Sequence, residues 1–358
     1  MPLIPSAPLT QLRIGSIPID FPIALAALSG YSDWPVRVIA RRLGAGFTLG
    51  EVLLDQFVLN VRRAKARRLI RVTAQEQPCG AQLMGASAEL LARAARKLVE
   101  AGFAWIDLNF ACPMRKVLGR CRAGYLLSQP QLALEIVSRV RDELPPEVPV
   151  TIKMRRGMDD SQQSRDQFFA IFDGAFARGV AAVTVHGRTV QQRYQGRSCW
   201  SFLKELKLHA PCKYVLGSGD LFTAQACLDM LAQTGVDGAS VARGAIGNPW
   251  IFQQARALAA GQPLPPPPSL FEQREVITEH YRLAEELYGP KRCWLVMRAA
   301  GIKYARLHPQ AEKLRDAFVA VRSPADWHEV LCRWYADDLP GRYPQLNEAD
   351  APTEPCEP

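Results

Sequence analysis

The feature that most constrains the fold is a regular alternation of short apolar runs with amphipathic segments between residues 21 and 260. The segments between the runs place apolar residues at helical spacing, as Leu91, Ala94 and Leu98 do within residues 89–101. The runs that we interpret as buried strands span residues 21–27, 47–50, 79–83, 105–108, 150–154, 182–185, 214–216 and 238–241. Eight strand and helix units in roughly 235 residues predict a closed (β/α)8 TIM barrel, with a doubly wound sheet as the alternative.

Polar residues follow each run, and this favours the barrel, because barrel closure brings all eight strand ends to one mouth. The residues at these positions are Ser29-Gly30, Glu51, Gln82, Asn109, Lys153, His186, Ser218-Gly219-Asp220 and Arg243-Gly244. Any solvent-facing loop contains polar residues, so only the whole series supports the barrel. We therefore expect one shared site at the carboxyl ends of the strands.

Composition divides the rest of the chain. A loose alternation around Gly15 and Pro18 predicts a small hairpin before the barrel. Five prolines within residues 263–268 cannot continue a helix and indicate a linker, after which apolar residues return at helical spacing. The predicted divisions are a hairpin extension (1–20), the barrel (21–260), a Pro-rich linker (261–269), a small α-helical domain (270–344) and a polar, disordered tail (345–358).

The charge distribution suits a polyanionic partner, although many basic enzymes never meet nucleic acid. The formal net charge is +9. Six cations stand within residues 62–71, and two interpretations of this run remain open, a solvated helix face and an RNA contact. A second basic group lies in the helical domain and comprises Lys291, Arg292, Arg298, Lys303, Arg306, Lys313 and Arg315.

The cysteines and the hydropathy pattern limit the compartment and the metal chemistry. The nine cysteines lack the CxxC or Cys/His spacing of a zinc site, so we expect no metal. Their odd number in a chain of this length indicates free intracellular thiols. The sequence contains no apolar run of about 18 residues and no signal-peptide pattern, and we therefore expect a cytoplasmic protein without a membrane span.

Two small-residue turns favour a phosphorylated cofactor or substrate, and two buried donors fit a reduced flavin. The turns at 217–220 and 242–244 follow the seventh and eighth runs, where barrels commonly bind phosphate. Lys153 and His186 end apolar strands, where a cation or donor is costly to bury without a partner. A reduced flavin, which accumulates negative charge around N1 and the C2 carbonyl, is such a partner. For His186, a hydrogen-bonded core histidine is the competing interpretation.

Cys112 is the candidate for proton transfer, because it stands just past the end of the fourth run. A thiol with a pKa of about 8.5 is mostly protonated at pH 7 and can act as a general acid. Pro113 ends the strand and a cationic loop follows, which fits a buried structural cysteine less well. No motif pairs Cys112 with a histidine, as a nucleophilic cysteine requires.

Together these motifs resemble the tRNA-dihydrouridine synthase family over roughly residues 12–325. The matching segments are Leu108-Asn-Phe-Ala-Cys-Pro113, 116–117, 123–130, 150–155, 184–189 with Gln192, Tyr194 and Gly196, 217–220, 243–252 and 297–321. The sequence departs from the family pattern at a few positions. Residues 27–30 are Ala-Leu-Ser-Gly where Pro-Met-Ala-Gly is usual, Ser218 replaces Asn, and Ala111 and Ala242 replace Gly.

The resemblance implies an FMN-dependent enzyme that reduces the C5–C6 double bond of specific uridines in tRNA. It implies NADPH or NADH as the reductant, Cys112 as the proton donor, and a helical domain that binds tRNA. The residues implied to hold FMN are Ala27, Leu28, Ser29, Gln82, Asn109, Lys153, His186, Ser218, Gly219, Asp220, Ala242, Arg243 and Gly244. Those implied to contact the substrate RNA are Lys116, Arg155, Arg188 and Tyr194. We expect a monomer, and removal of the chain after Gln262 is expected to weaken tRNA binding and leave flavin binding intact.

Two other functions stay open at the level of sequence. A flavin barrel that reduces a small molecule, similar to dihydroorotate dehydrogenase, explains the barrel, the phosphate turns, Lys153 and Cys112. It leaves the helical domain and the arginine runs without a role. The other is an RNA-binding protein with a redundant flavin site, against which the intact Cys112, Lys153 and His186 argue.

Overall fold

The computed structural model describes residues 11–60 and 68–345. The chain starts with an antiparallel hairpin of β1 (Arg13–Ile14) and β2 (Ile17–Pro18). Leu12 and Ile14 of this hairpin are buried against Phe47 and Trp105, at the amino-terminal end of the barrel. The hairpin therefore closes the end of the barrel opposite the carboxyl ends of the strands. Most of the basic run 62–71 and the tail from residue 346 lie outside the described residues.

Eight parallel strands form a closed barrel. They are β3 (Ile23–Leu25), β4 (Thr48–Leu54), β5 (Cys79–Met84), β6 (Trp105–Phe110), β7 (Val150–Arg155), β8 (Ala182–His186), β9 (Tyr214–Ser218) and β10 (Gly238–Val241). Each strand pairs with the next, and β10 pairs with β3. The predicted (β/α)8 barrel is confirmed, and a doubly wound sheet is excluded because such a sheet has two open edges.

Helices surround the barrel. They are α1 (Trp34–Arg42), α2 (Asp55–Asn60), α3 (Ala88–Glu100), α4 (Arg115–Leu118), α5 (Pro130–Glu143), α6 (Gln162–Ala177), α7 (Trp200–His209), α8 (Ala224–Thr234) and α9 (Trp250–Ala259). Several begin at a side chain that accepts a backbone N–H of the first turn, as Ser87, Ser161 and Thr223 do for α3, α6 and α8. Their apolar faces cover the strands in one continuous core.

The second barrel strand is longer than the sequence predicts. The apolar residues Val52 to Leu54 continue β4, and its pairing with β5 shifts between Leu49 and Val52. Glu51 lies at this irregularity, inside the strand rather than after it. Its carboxylate accepts the backbone N–H of Gly30, in the loop that follows β3.

The helical bundle comprises α10 (Leu270–Tyr288), α11 (Cys293–Tyr304), α12 (Ala311–Ala320) and α13 (Pro324–Trp334). It follows an extended segment over residues 262–269. Its core is shared with the barrel, because Trp34 of α1 and Trp250 of α9 pack with Ile277, Met297 and Phe318. In the part of the chain that the structure describes, no helix is long and apolar enough to cross a membrane.

We expect the Gly247→Ala variant to be strongly destabilised, because the backbone of Gly247 lies close against the backbone of Lys303 in the helical bundle. Its φ is +65°, and an added Cβ would overlap the backbone of Lys303. Gly261→Ala is the matched control, since Gly261 has φ +73° but open space around it. In urea unfolding, the free energy of unfolding should fall by about 1 kcal/mol in Gly261→Ala and by about 3 kcal/mol in Gly247→Ala. Equal losses would contradict this tight contact.

Candidate active site

A cavity of about 400 Å³ opens at the carboxyl ends of the barrel strands. It is lined by residues from, or directly after, all eight strands. The predicted site residues in its lining are Ala27, Leu28, Ser29, Gln82, Asn109, Cys112, Lys153, Arg155, His186, Tyr194, Ser218, Gly219, Asp220, Ala242, Arg243 and Gly244. The structure therefore brings together every residue predicted to hold the cofactor. Cys112, the predicted proton donor, lines the same cavity.

Lys116 and Arg188 are not part of this lining. Lys116 is exposed in the short helix α4, beyond the mouth of the cavity. Arg188 is buried, and its guanidinium donates to the carboxylate of Asp220 at 2.7 Å and to the carbonyl of Gly196 at 3.0 Å. Its Nε and Nη2 donate to protein acceptors, so Arg188 positions Asp220 and the loop around Gly196, while its Nη1 is buried without a hydrogen-bond partner among the described residues.

Lys153 contributes a buried ammonium group to the site. Its Nζ is buried on the cavity wall and has no hydrogen-bond partner among the residues described. Burial lowers the pKa of Lys153 to about 8, with Asp107 opposing the shift and Arg155 adding to it. The hydroxyl of Ser240, also on the cavity wall, likewise has no partner in the described part of the chain. Buried donors of this kind fit a polar ligand that can carry negative charge.

A chain of hydrogen bonds connects Cys112 to a buried carboxylate. The backbone N–H of Cys112 donates to Asn109 Oδ1 at 3.0 Å, and Asn109 Nδ2 donates to Gln82 Oε1 at 2.7 Å. Gln82 Nε2 donates to Asp107 Oδ2 at 2.6 Å, and Asp107 also accepts the hydroxyl of Thr151. The two amides are therefore fixed in orientation, and each retains one N–H for a ligand. Sequence reasoning missed Asp107, although an acidic residue inside an apolar strand was a signal for it.

His186 is a neutral donor on the cavity wall. Burial, with Arg155 and Lys153 nearby, holds its pKa well below the usual range. Its Nδ1 accepts the backbone N–H of Arg188 at 3.1 Å, so the ring hydrogen lies on Nε2. His186 is thus both hydrogen-bonded and exposed to the cavity, and it offers a ligand a hydrogen bond without a charge.

The two small-residue turns pack against each other at one side of the cavity. Gly219 has φ +116°, and an added Cβ at Gly244 would overlap the carbonyl oxygen of Leu221. Arg243 projects at this side, with its guanidinium 4.8 Å from the ring centroid of Phe222 and 5.4 Å from that of Tyr194. The predicted phosphate position therefore has two turns whose backbone a ligand can approach closely, and a cation beside them.

Residues 24–336 match the sequence model of the dihydrouridine synthase family. The chain belongs to this family. It is 32% identical over 346 residues to a probable tRNA-dihydrouridine synthase of Mycobacterium tuberculosis strain H37Rv, a match that covers 94% of this chain and 87% of the relative. It is 32% identical over 342 residues to tRNA-dihydrouridine synthase B of Xanthomonas axonopodis pv. citri, covering 94% and 100%. The predicted family is confirmed, and with it the prediction of an oxidoreductase.

Solved structures with the same fold are more distant. A 2-naphthoyl-CoA reductase complex has a TM-score of 0.57 at 10% identity and is matched over 71% of this chain and 52% of its own. Histamine dehydrogenase from Rhizobium sp. 4-9 has a TM-score of 0.56 at 14% identity, over 82% and 50%. The present chain spans about half the length of these two proteins, and the similarity concerns the fold of the barrel.

The protonation of Cys112 suits an acid rather than a nucleophile. Burial raises the pKa of its thiol, while the backbone N–H of Met114 and the guanidinium of Arg155 oppose the shift. Burial has the larger effect, so the thiol keeps its proton at neutral pH. No group of histidine, cysteine or carboxylate side chains within residues 11–60 and 68–345 has a metal-binding arrangement.

Arg155 connects the strand end beside Cys112 to the loop that holds Tyr194. Its Nε donates to the carbonyl of Ala111 at 2.9 Å, and its Nη1 donates to the carbonyls of Thr189 and Arg193 at 2.8 and 2.7 Å. The guanidinium lies 5.7 Å from the ring centroid of Tyr194. Arg155 therefore organises the loops at the mouth and also lines the cavity.

Sequence reasoning also missed cavity-lining residues that lie in loops. Tyr31, Met114 and Phe222 line the cavity, and the first two are exposed. No periodicity marks them, because their positions depend on how the loops fold over the barrel. They add apolar surface to the lining of the cavity, which suits a planar ring.

We expect Cys112 to be alkylated more slowly than the exposed Cys212 at pH 7, because its thiol is half-buried and its pKa is raised. Iodoacetamide labelling with mass spectrometry of tryptic peptides separates the two cysteines. The rate at Cys112 should be at least about tenfold lower and should still be rising above pH 9. Faster labelling of Cys112 at pH 7 would instead indicate a nucleophilic thiolate.

Proposed function

We propose that this protein is an FMN-dependent tRNA-dihydrouridine synthase that uses NADPH as its reductant. The observation that supports the cofactor most strongly is the buried Lys153 ammonium, which lines the cavity without a hydrogen-bond partner among the described residues. The neutral His186 and the fixed amides of Gln82 and Asn109 lie on the same wall. A flavin ring, which gains negative charge when reduced, fits this set of donors. When bound, the flavin supplies the hydride for the reaction.

Each wall of the cavity has a role in holding the cofactor. We propose that Lys153 and His186 hold the electron-rich edge of the ring, and that Gln82 and Asn109 hold its other polar edge. The backbone of residues 27–29 forms a further wall, and the turns at 218–220 and 242–244 receive the phosphate. Ser218 is one of the departures from the family pattern. Its hydroxyl donates a hydrogen bond to the carbonyl of Ser240 at 3.2 Å, so it is engaged with the neighbouring strand.

Cys112 completes the reduction of the uracil ring. Hydride addition at C6 leaves negative charge on C5 and the adjacent carbonyl oxygen. Protonation at C5 quenches this charge, and the protonated Cys112 thiol at the cavity wall is placed to supply that proton. The resulting thiolate then regains a proton from water. One hydride and one proton thus convert uracil to dihydrouracil.

The tRNA is held by basic groups outside the cavity. Extruding a base costs a few kcal/mol, and contacts to phosphates elsewhere on the RNA offset this cost. In the second basic group of the sequence, Arg298 and Arg306 are half-buried, and the exposed members are Lys291, Arg292, Lys303, Lys313 and Arg315. Lys303 lies 5.9 Å from the ring centroid of Tyr31 at the mouth, so this group adjoins the cavity.

NADPH is proposed to reach the flavin through the same mouth, because the described residues form no separate dinucleotide-binding domain. The substrate favours the cytoplasm as the site of action. Lys116 and Arg188 are retained as residues near the RNA, the first exposed beside the mouth and the second acting through Asp220.

We expect Cys112→Ala to separate cofactor chemistry from substrate chemistry. The variant should bind FMN and oxidise NADPH, yet lose uridine reduction by at least about 100-fold, because a general acid contributes this much or more. The assay is dihydrouridine formation in tRNA, alongside flavin reduction followed at its absorption band. Cys121→Ala, an exposed cysteine in the same loop, should remain active. Normal turnover by Cys112→Ala would refute its role as the acid.

We expect flavin affinity to depend on pH through Lys153. An anionic group bound at its ammonium raises the pKa of Lys153 above about 8, so binding takes up a proton at higher pH. Affinity should be constant below about pH 7 and should fall above pH 8, by up to about tenfold per pH unit. In Lys153→Met the part of this dependence that comes from Lys153 should disappear, and the dependence that remains in the variant corrects for titration of the flavin itself. A fall of equal steepness in both proteins would contradict the role of Lys153.

A further inference from the structure

The loop after the first barrel strand, residues 26–33, forms one wall of the cavity. Ala26, Ala27, Leu28, Ser29 and Tyr31 of this loop line it. The loop is closed within itself by Ser32, whose hydroxyl accepts the N–H of Leu28 at 2.8 Å and donates to the Leu28 carbonyl at 3.1 Å. The barrel holds both ends of this loop, because the N–H of Ala26 donates to the carbonyl of Val241 at 2.8 Å and Arg37 Nη1 donates to the carbonyl of Ser32 at 2.8 Å. Between these ends, the carboxylate of Glu51 in β4 accepts the N–H of Gly30. The position of the middle of the loop therefore depends on few contacts.

The helical bundle contacts this loop at two further points. The hydroxyl of Tyr288 in α10 donates to Asp33 Oδ2 at 2.7 Å. The other oxygen of the same carboxylate accepts the N–H of Val36 and so caps α1. The ammonium of Lys303 in α11 lies 5.9 Å from the ring centroid of Tyr31. The bundle thus contacts both the outer end of the loop and one of its cavity-lining side chains.

The bundle also contacts the turn after the last strand. Arg306 Nη2 donates to the carbonyl of Gly244 at 3.0 Å, and Gly244 lies in the turn predicted to receive the phosphate. Three residues further on, Gly247 lies so close to the backbone of Lys303 that only glycine fits. One face of the bundle therefore supports two segments of the cavity that are adjacent because β10 pairs with β3.

We propose that the helical bundle is part of the scaffold of the flavin site, with Tyr288 and Arg306 as positioning residues that hold loop 26–33 and the turn at 242–244. This inference rests on the proposed function, since it assumes that the cavity binds a flavin. It reverses the expectation that flavin binding survives removal of the chain after Gln262. Neither residue lines the cavity, so each acts through the backbone that it holds.

The physical argument is one of preorganisation. A loop held by a few hydrogen bonds samples other conformations when one bond is lost, and the apparent dissociation constant rises by the inverse of the competent fraction. The Tyr288 bond has a carboxylate as its acceptor, which makes it one of the stronger kinds. Losing it leaves Asp33 Oδ2, in a half-buried interface, without this donor.

The test compares Tyr288→Phe with Tyr335→Phe in the full-length protein without RNA. Tyr335 is also buried in the helical bundle, but its hydroxyl has no hydrogen-bond partner in the described part of the chain. FMN is titrated and its fluorescence followed, which gives the dissociation constant and the number of sites separately. Tyr288→Phe should bind FMN about tenfold more weakly with an unchanged number of sites, and Tyr335→Phe should bind as the unmodified protein does. Arg306→Met should also weaken binding.

Saturating FMN provides a second readout. Because Tyr288 does not touch the reacting atoms, uridine reduction by Tyr288→Phe should return to the unmodified rate once FMN is saturating. A variant that is merely less stable would lose sites while its dissociation constant stayed the same, and this result would overturn the inference. Unchanged FMN affinity in both Tyr288→Phe and Arg306→Met would overturn it too. If the unmodified protein fails to bind FMN at all, the proposed function itself is refuted.

Discussion

The pairing of β10 with β3 is the constraint on which the rest of the structure depends. It turns an open parallel sheet into a barrel and places Val241 beside Leu25, so the last strand end adjoins the first. The loop after β3 and the turn after β10 thereby become neighbouring walls of one cavity. Residues more than 200 positions apart in sequence then line the same cavity. The helical bundle, which follows β10 in the chain, is brought by the same closure to the loop that follows β3.

The protonation states of Cys112 and His186 are set by burial together with the cations around the cavity. Arg155, Arg188 and Arg243 surround the site with Lys153, and proximity to such cations ordinarily lowers the pKa of a thiol. At Cys112 burial has the larger effect and the thiol pKa is raised. The same cations and burial keep His186 neutral. The site therefore combines several cations with an uncharged thiol, Cys112, and an uncharged hydrogen-bond donor, His186. This combination suits a reaction in which negative charge forms on a ring and is then removed by protonation.

The sequence was sufficient for the features that follow from strand topology. Parallel strands that close into a barrel bring their carboxyl ends together, so Gln82, Asn109, Lys153 and His186 could be assigned to one site without coordinates. Their hydrogen-bond partners could not. Asp107 is an acidic residue within an otherwise apolar run, which marks it as unusual, but nothing in the sequence indicates that it holds Gln82. The placement of Arg188 depends on a carboxylate 32 residues away.

The contacts between the barrel and the helical bundle are also not predictable from the sequence. The proline-rich segment is extended between α9 and α10, but the sequence of a linker does not reveal which surfaces pack together. Trp34 and Trp250 belong to barrel helices and are buried in the core of the bundle. The bond between Asp33 and Tyr288 spans 255 positions, a separation at which no local pattern gives a signal. Because burial of these shared aromatic side chains stabilises both parts, the bundle and the cavity walls that it contacts form one cooperative structure.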